Sequence, residues 1–291
     1  MRRSLTFRTL LGYNAPMSGY SSDSRLFDLL RGKVRGKSAE LFRYREMFFG
    51  LVSREVRARY KGSVLGFLWS LLNPLMMIGV YSMVFAVYMR IGVPNYALFL
   101  FCGLLPWSWF ATSLQNATSS ITANASLIKK VYFPHELLPL MNVTTNLVNY
   151  LLSVPVLLLV MVVTGQDVTL NLLFFPLVVA VQFLVTLGFS LLFSTLNAFF
   201  RDVEQLLGPL MMAWFYMTPV VYPSTMIPEG FRFLFYLNPM APILVAYQDI
   251  FYYGRSPDLM RLLYCLGVGI FFFLIGYAYF YRKKFYFAEV V

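Results

Sequence analysis

The stretch that decides the fold is Leu172–Phe199, which reads LLFFPLVVAVQFLVTLGFSLLFSTLNAF. It contains no Asp, Glu, Lys, Arg or His, and it exceeds the roughly 20 apolar residues with which a helix crosses a bilayer. Five further charge-free blocks lie at Gly66–Tyr88, Ala97–Ala117, Leu137–Val163, Leu206–Tyr222 and Leu262–Tyr281. The pattern predicts an all-α integral membrane protein with six transmembrane helices, the fifth of which is short.

The overall composition excludes a soluble globular domain. Hydrophobic residues make up 59% of the 291 residues and charged residues only 13%, against about 25% charged in ordinary soluble domains. The stretch from Met1 to Lys61 is polar and basic, and it lacks the apolar segment of a cleavable signal. Cys102 and Cys265 fall in or beside predicted spans, so we expect packing roles and no disulfide, metal or redox role.

The distribution of the basic residues predicts the topology. Of the 24 Lys and Arg residues, 14 precede the first predicted span. With the N-terminus inside, 20 lie inside and four outside, namely Arg90, Arg232, Arg255 and Arg261. The positive-inside rule therefore places both termini in the cytoplasm, and we expect the chain in an inner (plasma) membrane. The net charge of +11 indicates contact with anionic lipid rather than with nucleic acid.

The region before the first span divides into a basic cytoplasmic tail, residues 1–39, and an amphipathic helix, residues 40–61. Residues 32–38, GKVRGKS, resemble a phosphate-binding loop but have three residues between the glycines instead of four. We therefore expect no ATP site in this chain. The helix carries an apolar stripe among arginines, formed by Leu41, Tyr44, Phe48, Leu51, Val52 and Val56. Such a helix lies in the headgroup plane, packs on a partner protein, or does both.

Residues 62–285 form the six-span domain, and two of its connecting segments are long. The inner loop 119–136 is polar and compatible with a helix. The outer segment 223–261 is broken by prolines at 228, 239, 242 and 257. Its apolar stretches, 231–237 and 243–253, are too short to span, so they are predicted to be short re-entrant or interfacial helices. No internal repeat is visible, which argues against the common secondary transporters.

The chain carries no pattern typical of catalysis. His135 is the single histidine and neighbours Glu136. Such a pair can shuttle a proton, although a histidine at a helix end usually has a structural role. No metalloprotease, serine-hydrolase or Cys/His metal spacing occurs. We therefore expect neither an enzyme nor a metal site. Because ion-coupled transporters keep ionisable residues at membrane depth, charge-free spans indicate that any energy enters from a partner protein.

Aromatic residues are concentrated near the predicted outer half of the spans and at their boundaries: Trp107, Trp109, Trp214, Phe215, Tyr216, Tyr222, Phe231, Phe233, Phe235 and Tyr236. One interpretation is an interfacial aromatic belt. The other is a stacking surface for a sugar chain, because aromatic faces are apolar while Tyr and Trp also carry a polar group. The sequence leaves both open.

Several short motifs match a known family. They are Val56–Trp69 (VRARYKGSVLGFLW) followed by Asn73-Pro74, Phe200–Val203 (FRDV), Thr218-Pro219-Val220 with Tyr222, and Leu237–Met240 (LNPM). On these motifs the chain resembles, over about residues 40–285, the permeases of polysaccharide-exporting ABC transporters, which include O-antigen, capsule and teichoic-acid exporters. The basic tail is not part of the resemblance.

The resemblance implies a homodimer of permeases with two ATPase subunits per complex, and this complex moves a glycan linked to a lipid diphosphate. ATP and magnesium would be bound by the ATPase. By this resemblance, residues 40–61 are the interface helix and residues 119–136 are the coupling loop. The implied ATPase contacts are Asn124, Leu127, Lys129, Lys130, Tyr132, Phe133 and Pro134. Arg57, Arg59 and Lys61 are candidates for binding the diphosphate. The alternatives are that they bind anionic phospholipid or only set the topology.

Further candidate residues come from the same resemblance. The glycan path would include Trp69, Tyr81, Phe85, Trp214, Phe215, Tyr216 and Tyr222. The motif residues are Arg201, Asp202, Pro219, Asn238 and Pro239. O-antigen export is the leading hypothesis. The alternatives are a capsule or teichoic-acid exporter, a non-conducting scaffold for glycan assembly, and a drug or small-lipid exporter of the same superfamily.

Overall fold

The computed structural model describes residues 44–60 and 69–291. Of these residues, 82% are helical and none is in a strand, as expected for an all-α membrane protein. The basic tail 1–39, the first residues of the predicted interface helix, and residues 61–68 with Lys61 lie outside the described residues. The first predicted span begins in that second gap.

The helices in the first half of the chain are α1 (Arg45–Tyr60), α2 (Trp69–Tyr81, continued by a wider π-helical segment, Ser82–Tyr88), α3 (Tyr96–Thr118), α4 (Ser120–Ala123), α5 (Ala125–Lys130) and α6 (Leu137–Val163). The second half contains α7 (Phe175–Phe199, preceded by a 3-10 turn, Leu170–Phe174), α8 (Asp202–Met217), α9 (Arg232–Leu237), α10 (Met240–Phe251), α11 (Leu259–Lys283) and α12 (Phe287–Val290).

Among the residues that the structure describes, four helices are long and apolar enough to cross a membrane: α3, α6, α7 with its preceding turn, and α11 with the residues that follow it. They coincide with four of the six predicted spans. The other two predicted spans correspond to α2 with its π-helical segment and to α8. Helix α8 ends at Met217 rather than at Tyr222, because Thr218 precedes Pro219 and takes an extended backbone (φ −106°, ψ 137°).

Helix α3 is the centre of the bundle. Within its apolar stretch 78% of the residues are buried, against 22% for α11. It packs against α2, α6, α7, α8 and α10. Its first turns, Leu98 to Leu100, are fully enclosed. A helix that is apolar on all sides is buried in this way, whereas α11 turns most of its surface outward.

The closest helix pair is α7 and α11, which meet through glycines. A Cβ atom added to Gly188 would lie 2.6 Å from the Phe273 backbone nitrogen. One added to Gly276 would lie 2.6 Å from the Gly188 carbonyl oxygen. Gly269 faces Val185 in the same seam. Small residues allow helix backbones to approach closely where lipid supplies no hydrophobic drive for association.

The two ends of the bundle differ in composition. We call the end formed by α4, α5, α12 and the loop between α7 and α8 the basic end, since it carries Lys129, Lys130, Arg201, Arg282, Lys283 and Lys284. At the opposite end, loops are joined by hydrogen bonds to backbone carbonyls. The Tyr96 hydroxyl donates to Val221 (2.6 Å), and the Asn171 amide donates to Gly254 (2.7 Å).

The segment predicted to be re-entrant or interfacial contains two helices with different surroundings. Helix α9 is mostly exposed, with only Phe235 buried. Every residue of α10 is buried, and this helix packs against α3, α7, α9 and α11. Helix α10 is therefore part of the core of the bundle, sheltered by protein as a short apolar helix requires.

Because the α7–α11 seam has no room for a side chain, we expect Gly276→Ala to lower stability by roughly 1–3 kcal/mol, the usual range for overpacking. The measurement is the thermal unfolding midpoint of the purified protein in detergent. Gly267→Ala is the matched control on the same helix, because an added Cβ there meets nothing within 4 Å. Equal midpoints for the two variants would contradict the close contact.

Candidate functional site

A cavity of about 780 Å³ lies between α2, α3, α6 and α8. That volume is within the ~300–1,000 Å³ range of ligand sites. Its lining residues include Trp69, Met77, Tyr81, Trp107, Ser108, Thr112, Gln115, Asn146, Asn149, Tyr150, Ser153, Met211, Met212, Phe215 and Tyr216. None of the described residues that line it is Asp, Glu, Lys, Arg or His.

One wall of this cavity is polar and comes from two helices. Helix α3 contributes Ser108, Thr112 and Gln115, and helix α6 contributes a second set formed by Asn146, Asn149 and Ser153. Both sets recur at steps of three and four residues, which places each set on one face of its helix. Their hydroxyl and amide groups both donate and accept hydrogen bonds without carrying charge.

Aromatic rings also line the cavity, and they come from all four of its helices: Trp69, Tyr81, Trp107, Trp109, Tyr150, Phe215 and Tyr216. The ring of Tyr81 stacks on that of Phe215, with centroids 5.9 Å apart and planes at 26°. Trp107 meets Phe215 edge-on at 5.7 Å. Tyr216 is 49% exposed, and with Trp69 it marks the open side of the cavity. Uncharged polar groups and aromatic rings thus line the same space, which is of ligand size.

The seven residues predicted for a glycan path divide into two groups. Trp69, Tyr81, Phe215 and Tyr216 line the cavity. The other three are Phe85, Trp214 and Tyr222. Phe85 packs against Tyr81, and Tyr222 lines a smaller apolar cavity of about 330 Å³. The path itself stays a prediction.

Trp214 belongs to a hydrogen-bonded cluster centred on the motif residue Asn238. The Trp214 indole N–H donates to Asn238 Oδ1 at 2.8 Å. The Asn238 amide donates to the Thr218 hydroxyl at 2.8 Å, and its Oδ1 also accepts the Met240 backbone N–H at 3.0 Å. The Asn238 side chain therefore joins the C-terminal end of α8 to the start of α10.

The two proline carbonyls of the motifs also accept hydrogen bonds from helices. The Gln248 amide donates to the Pro219 carbonyl at 2.8 Å, and the Cys265 thiol donates to the Pro239 carbonyl at 3.3 Å. Side chains of α10 and α11 thus satisfy backbone acceptors at bends, where regular helical bonding is interrupted.

The remaining two motif residues lie at the start of α8. Arg201 precedes the first helical residue, and Asp202 lies in the first turn. Negative charge there is favourable beside the positive end of the helix dipole. The Asn197 side chain also accepts the Glu204 backbone N–H at 3.1 Å.

The residues predicted to contact an ATPase lie at the basic end, where they differ in exposure. Lys129, Lys130 and Tyr132 are exposed, Tyr132 to 87%. Phe133 and Pro134 are buried, while Asn124 and Leu127 are half-buried. The Asn124 amide donates to the Ser120 carbonyl at 2.8 Å, which links α4 to α5. Three of the seven side chains are therefore accessible to a partner protein, and the other four are buried or half-buried.

Helix α1 packs on α6 with the apolar stripe that the sequence predicts. Leu51 and Val52 form a cluster with Met141, and Phe48 and Val56 pack beside it. On the other face Arg57 is exposed, and its guanidinium donates to the Ser53 carbonyl at 3.2 Å. Arg59 lies on the same helix, and Lys61 falls outside the described residues.

Burial shifts the pKa values of His135 and Asp249, which both lie outside the spans. Burial lowers the pKa of His135; the charge of Lys284 acts in the same direction and that of Glu136 opposes it. Burial raises the pKa of Asp249 at the end of α10, although Arg255 opposes the shift with a contact of 2.7 Å. A neutral His135 packed between aromatic rings fits a structural role better than a proton shuttle.

The polar wall of the cavity was not predicted from the sequence. Its signal is the repeat of Ser, Thr, Asn and Gln at steps of three and four residues inside apolar spans. Polar residues in such positions face the bundle interior or a cavity.

Comparison with known proteins adds a family. The sequence profile described as "ABC-2 type transporter" matches residues 46–252. The O-antigen export system permease protein RfbA of Myxococcus xanthus is 41% identical over 87% of this chain and 98% of its own length. The protein of the same name from Klebsiella pneumoniae is 38% identical over 83% and 93%. The polysialic acid transport protein KpsM of Escherichia coli is 23% identical over 67% and 76%.

Replacing Asn238 with Ala removes the partners of Trp214, Thr218 and the Met240 backbone. We expect a loss of roughly 1–3 kcal/mol, because buried polar groups are left unsatisfied. The loss of stability is measured as a lower thermal unfolding midpoint of the purified protein in detergent. The control is Asn171→Ala, since the Asn171 side chain is half-buried and donates between loops. A loss for Asn171→Ala as large as that for Asn238→Ala would contradict the central position of Asn238.

Proposed function

Since the chain belongs to the ABC-2 type transporter family, we propose that it is the permease subunit of an ATP-driven exporter of an O-antigen-type polysaccharide. The glycan travels on a lipid diphosphate from the cytoplasm across the bacterial inner membrane. The family consists of transporter permease subunits, so the chain itself carries out no catalysis. The names of the relatives at 41% and 38% identity support O-antigen as the cargo.

The observation that carries this proposal is a cavity lined by both aromatic rings and uncharged polar groups. Aromatic faces such as Tyr81 and Tyr216 stack on the apolar faces of sugar rings. Hydroxyl and amide groups in the same lining exchange hydrogen bonds with sugar hydroxyls. Neutral contacts of this kind are individually weak, so a polymer can advance past them without being trapped at one charged site.

A six-span arrangement with both termini in the cytoplasm fits this function. In this arrangement α2, with its π-helical segment, is the first span and α8 is the fifth. The other four spans are α3, α6, α7 and α11. The basic end then faces the cytoplasm, as the excess of positive charge there supports. Helix α1 lies against the cytoplasmic surface in this arrangement. We propose that Arg57, Arg59 and Lys61 bind the diphosphate or anionic lipid.

The energy enters through a separate ATPase subunit, which binds ATP and magnesium. Members of this family normally pair with one. We propose that α5 and the exposed side chains of Lys129, Lys130 and Tyr132 contact it. Two permeases and two ATPases form the complex. A second permease copy against the exposed apolar faces of α2 and α8 would close the open side of the cavity.

Capsule or teichoic-acid export is the second candidate. The relative named for polysialic acid transport supports it, but at 23% identity it is more distant than the O-antigen permeases. A membrane scaffold for glycan assembly that contains no conduit is a candidate function of another class. The scaffold predicts that no residue of the cavity ever touches the glycan.

The direct test uses vesicles that contain the permease, its ATPase and a lipid-linked O-antigen. We expect ATP-dependent transfer, slowed about three- to tenfold by Tyr81→Ala or by Asn149→Leu, since one aromatic contact contributes roughly 0.5–1.5 kcal/mol. Leu159→Ala is the control, because Leu159 is exposed on the outer face of α6.

Two outcomes would oppose the proposal. Absence of ATP-dependent transfer by the wild-type complex would reject export of this glycan. Transfer without any cross-link from a photoreactive group at Tyr216 to the glycan in transit would reject the cavity as the path.

Reversing the charge of the exposed lysines should weaken docking of the ATPase. We expect Lys129→Glu with Lys130→Glu to reduce the ATPase recovered with the affinity-purified permease by about tenfold, while the amount inserted in the membrane stays the same. Arg282→Glu is the control, since Arg282 is exposed at the same end but on α11. Unchanged recovery of the ATPase would show that neither lysine contributes to the interface.

A further inference from the structure

The chain returns to the coupling loop after its last span. Beyond α11 a 3-10 turn, Lys284–Tyr286, leads into α12, Phe287–Val290. Helix α12 contacts both α5 and the end of α7. The last residues of the chain therefore bridge the segment that we propose the ATPase contacts and the cytoplasmic ends of two spans.

An ion pair holds this bridge on one side. Lys284 Nζ lies 3.0 Å from Glu136 Oε1, and the side chains are only 19% and 12% exposed. Exposed ion pairs contribute little, whereas removing one partner of a shielded pair leaves the other charge poorly solvated. A lysine present only for topology would extend into water or headgroups, but Lys284 is turned inward to a carboxylate at the start of α6.

An aromatic contact holds the bridge on the other side. The side chain of Phe287 is fully buried. Its ring lies 5.1 Å from Phe280 of α11, 6.2 Å from Phe199 of α7 and 6.1 Å from His135. The His135 ring in turn meets Phe133 edge-on at 5.2 Å. One ring thus connects α7, α11 and the loop that follows α5.

We propose that Glu136, Lys284 and Phe287 form a clasp that fixes the coupling loop to α11. Through the glycine seam at Gly188 and Gly276, α11 is packed on α7, so a displacement of α5 moves α7 and α11 together. The three residues position helices; none of them touches the glycan or ATP. That the displacement comes from an ATPase rests on the proposed function, while the clasp itself rests on the contacts above.

The clasp is tested first on the permease alone. Hydrogen–deuterium exchange reports opening of the backbone amides of α5 in detergent or nanodiscs. We expect exchange of the α5 amides at least tenfold faster in Lys284→Met, Glu136→Gln and Phe287→Ala than in the wild type. Lys284→Arg keeps the charge and should retain slow exchange. Arg282→Met, which alters an exposed neighbour, is the matched control.

The second measurement uses the complex in vesicles and counts glycan molecules transferred per ATP hydrolysed. We expect this ratio to fall about tenfold in Lys284→Met and Phe287→Ala, with the recovered ATPase subunit unchanged. Lys284→Arg should retain the wild-type ratio. A ratio that stays the same while α5 exchange rises would overturn the transmission of motion through the clasp.

Further outcomes of these two experiments also test the clasp. Slow α5 exchange in all three clasp variants would overturn the clasp. If Lys284→Met fails to accumulate in the membrane, accumulation and slow exchange of Lys284→Arg support the ion pair, and an equal failure of Lys284→Arg overturns it. If the wild-type complex moves no glycan, the proposed function fails, but the exchange experiment still decides whether the clasp exists.

Discussion

The close approach of α7 and α11 is the contact on which the rest of the described structure depends. Two backbones meet where any Cβ would collide with backbone atoms. In lipid such a contact gains from dispersion and close packing rather than from burial of apolar surface. Once the pair is formed, α7 presents its other faces to α3, α6 and α10. The C-terminal part of α11 then reaches the basic end, where Lys284 and Phe287 meet the loop before α6.

Helix α3 gives the bundle both its core and its cavity. Its early turns are enclosed by neighbouring helices, while its later turns place Ser108, Thr112 and Gln115 on one open face. Polar side chains in an apolar span are costly unless they find partners or face a cavity. The facing helix α6 supplies matching amides. The result is a neutral hydrogen-bonding surface beside aromatic rings, within a domain whose energy source is expected to lie in another protein.

The sequence was sufficient for the class of fold and for four of the spans, because length and the lack of charge are local properties. It also located the apolar stripe of α1, since that depends on helical period alone. The end of α8 was misplaced because Thr218 is drawn into an extended backbone by Pro219. The burial of α10 depends on neighbours far away in the chain, and no local pattern separates it from an interfacial helix.

The candidate site was predicted less completely, for the same physical reason. An aromatic residue near a span end can point to a cavity, as Tyr81 does, or to a hydrogen-bonded cluster, as Trp214 does. Composition cannot distinguish these directions. The ion pair between Glu136 and Lys284 joins positions 148 residues apart, and only the packed bundle brings them together.

The complete burial of α10 has a consequence for how the protein is made. Its twelve residues reach about 18 Å, too short to be inserted as a span, and helices of this length are marginal in isolation. Two of its packing partners, α3 and α7, are synthesised before it, and a third, α11, is synthesised after it. The groove that receives α10 is therefore incomplete until the last span has entered the bilayer. During biogenesis α10 therefore docks late, after α11 has been inserted into the bilayer.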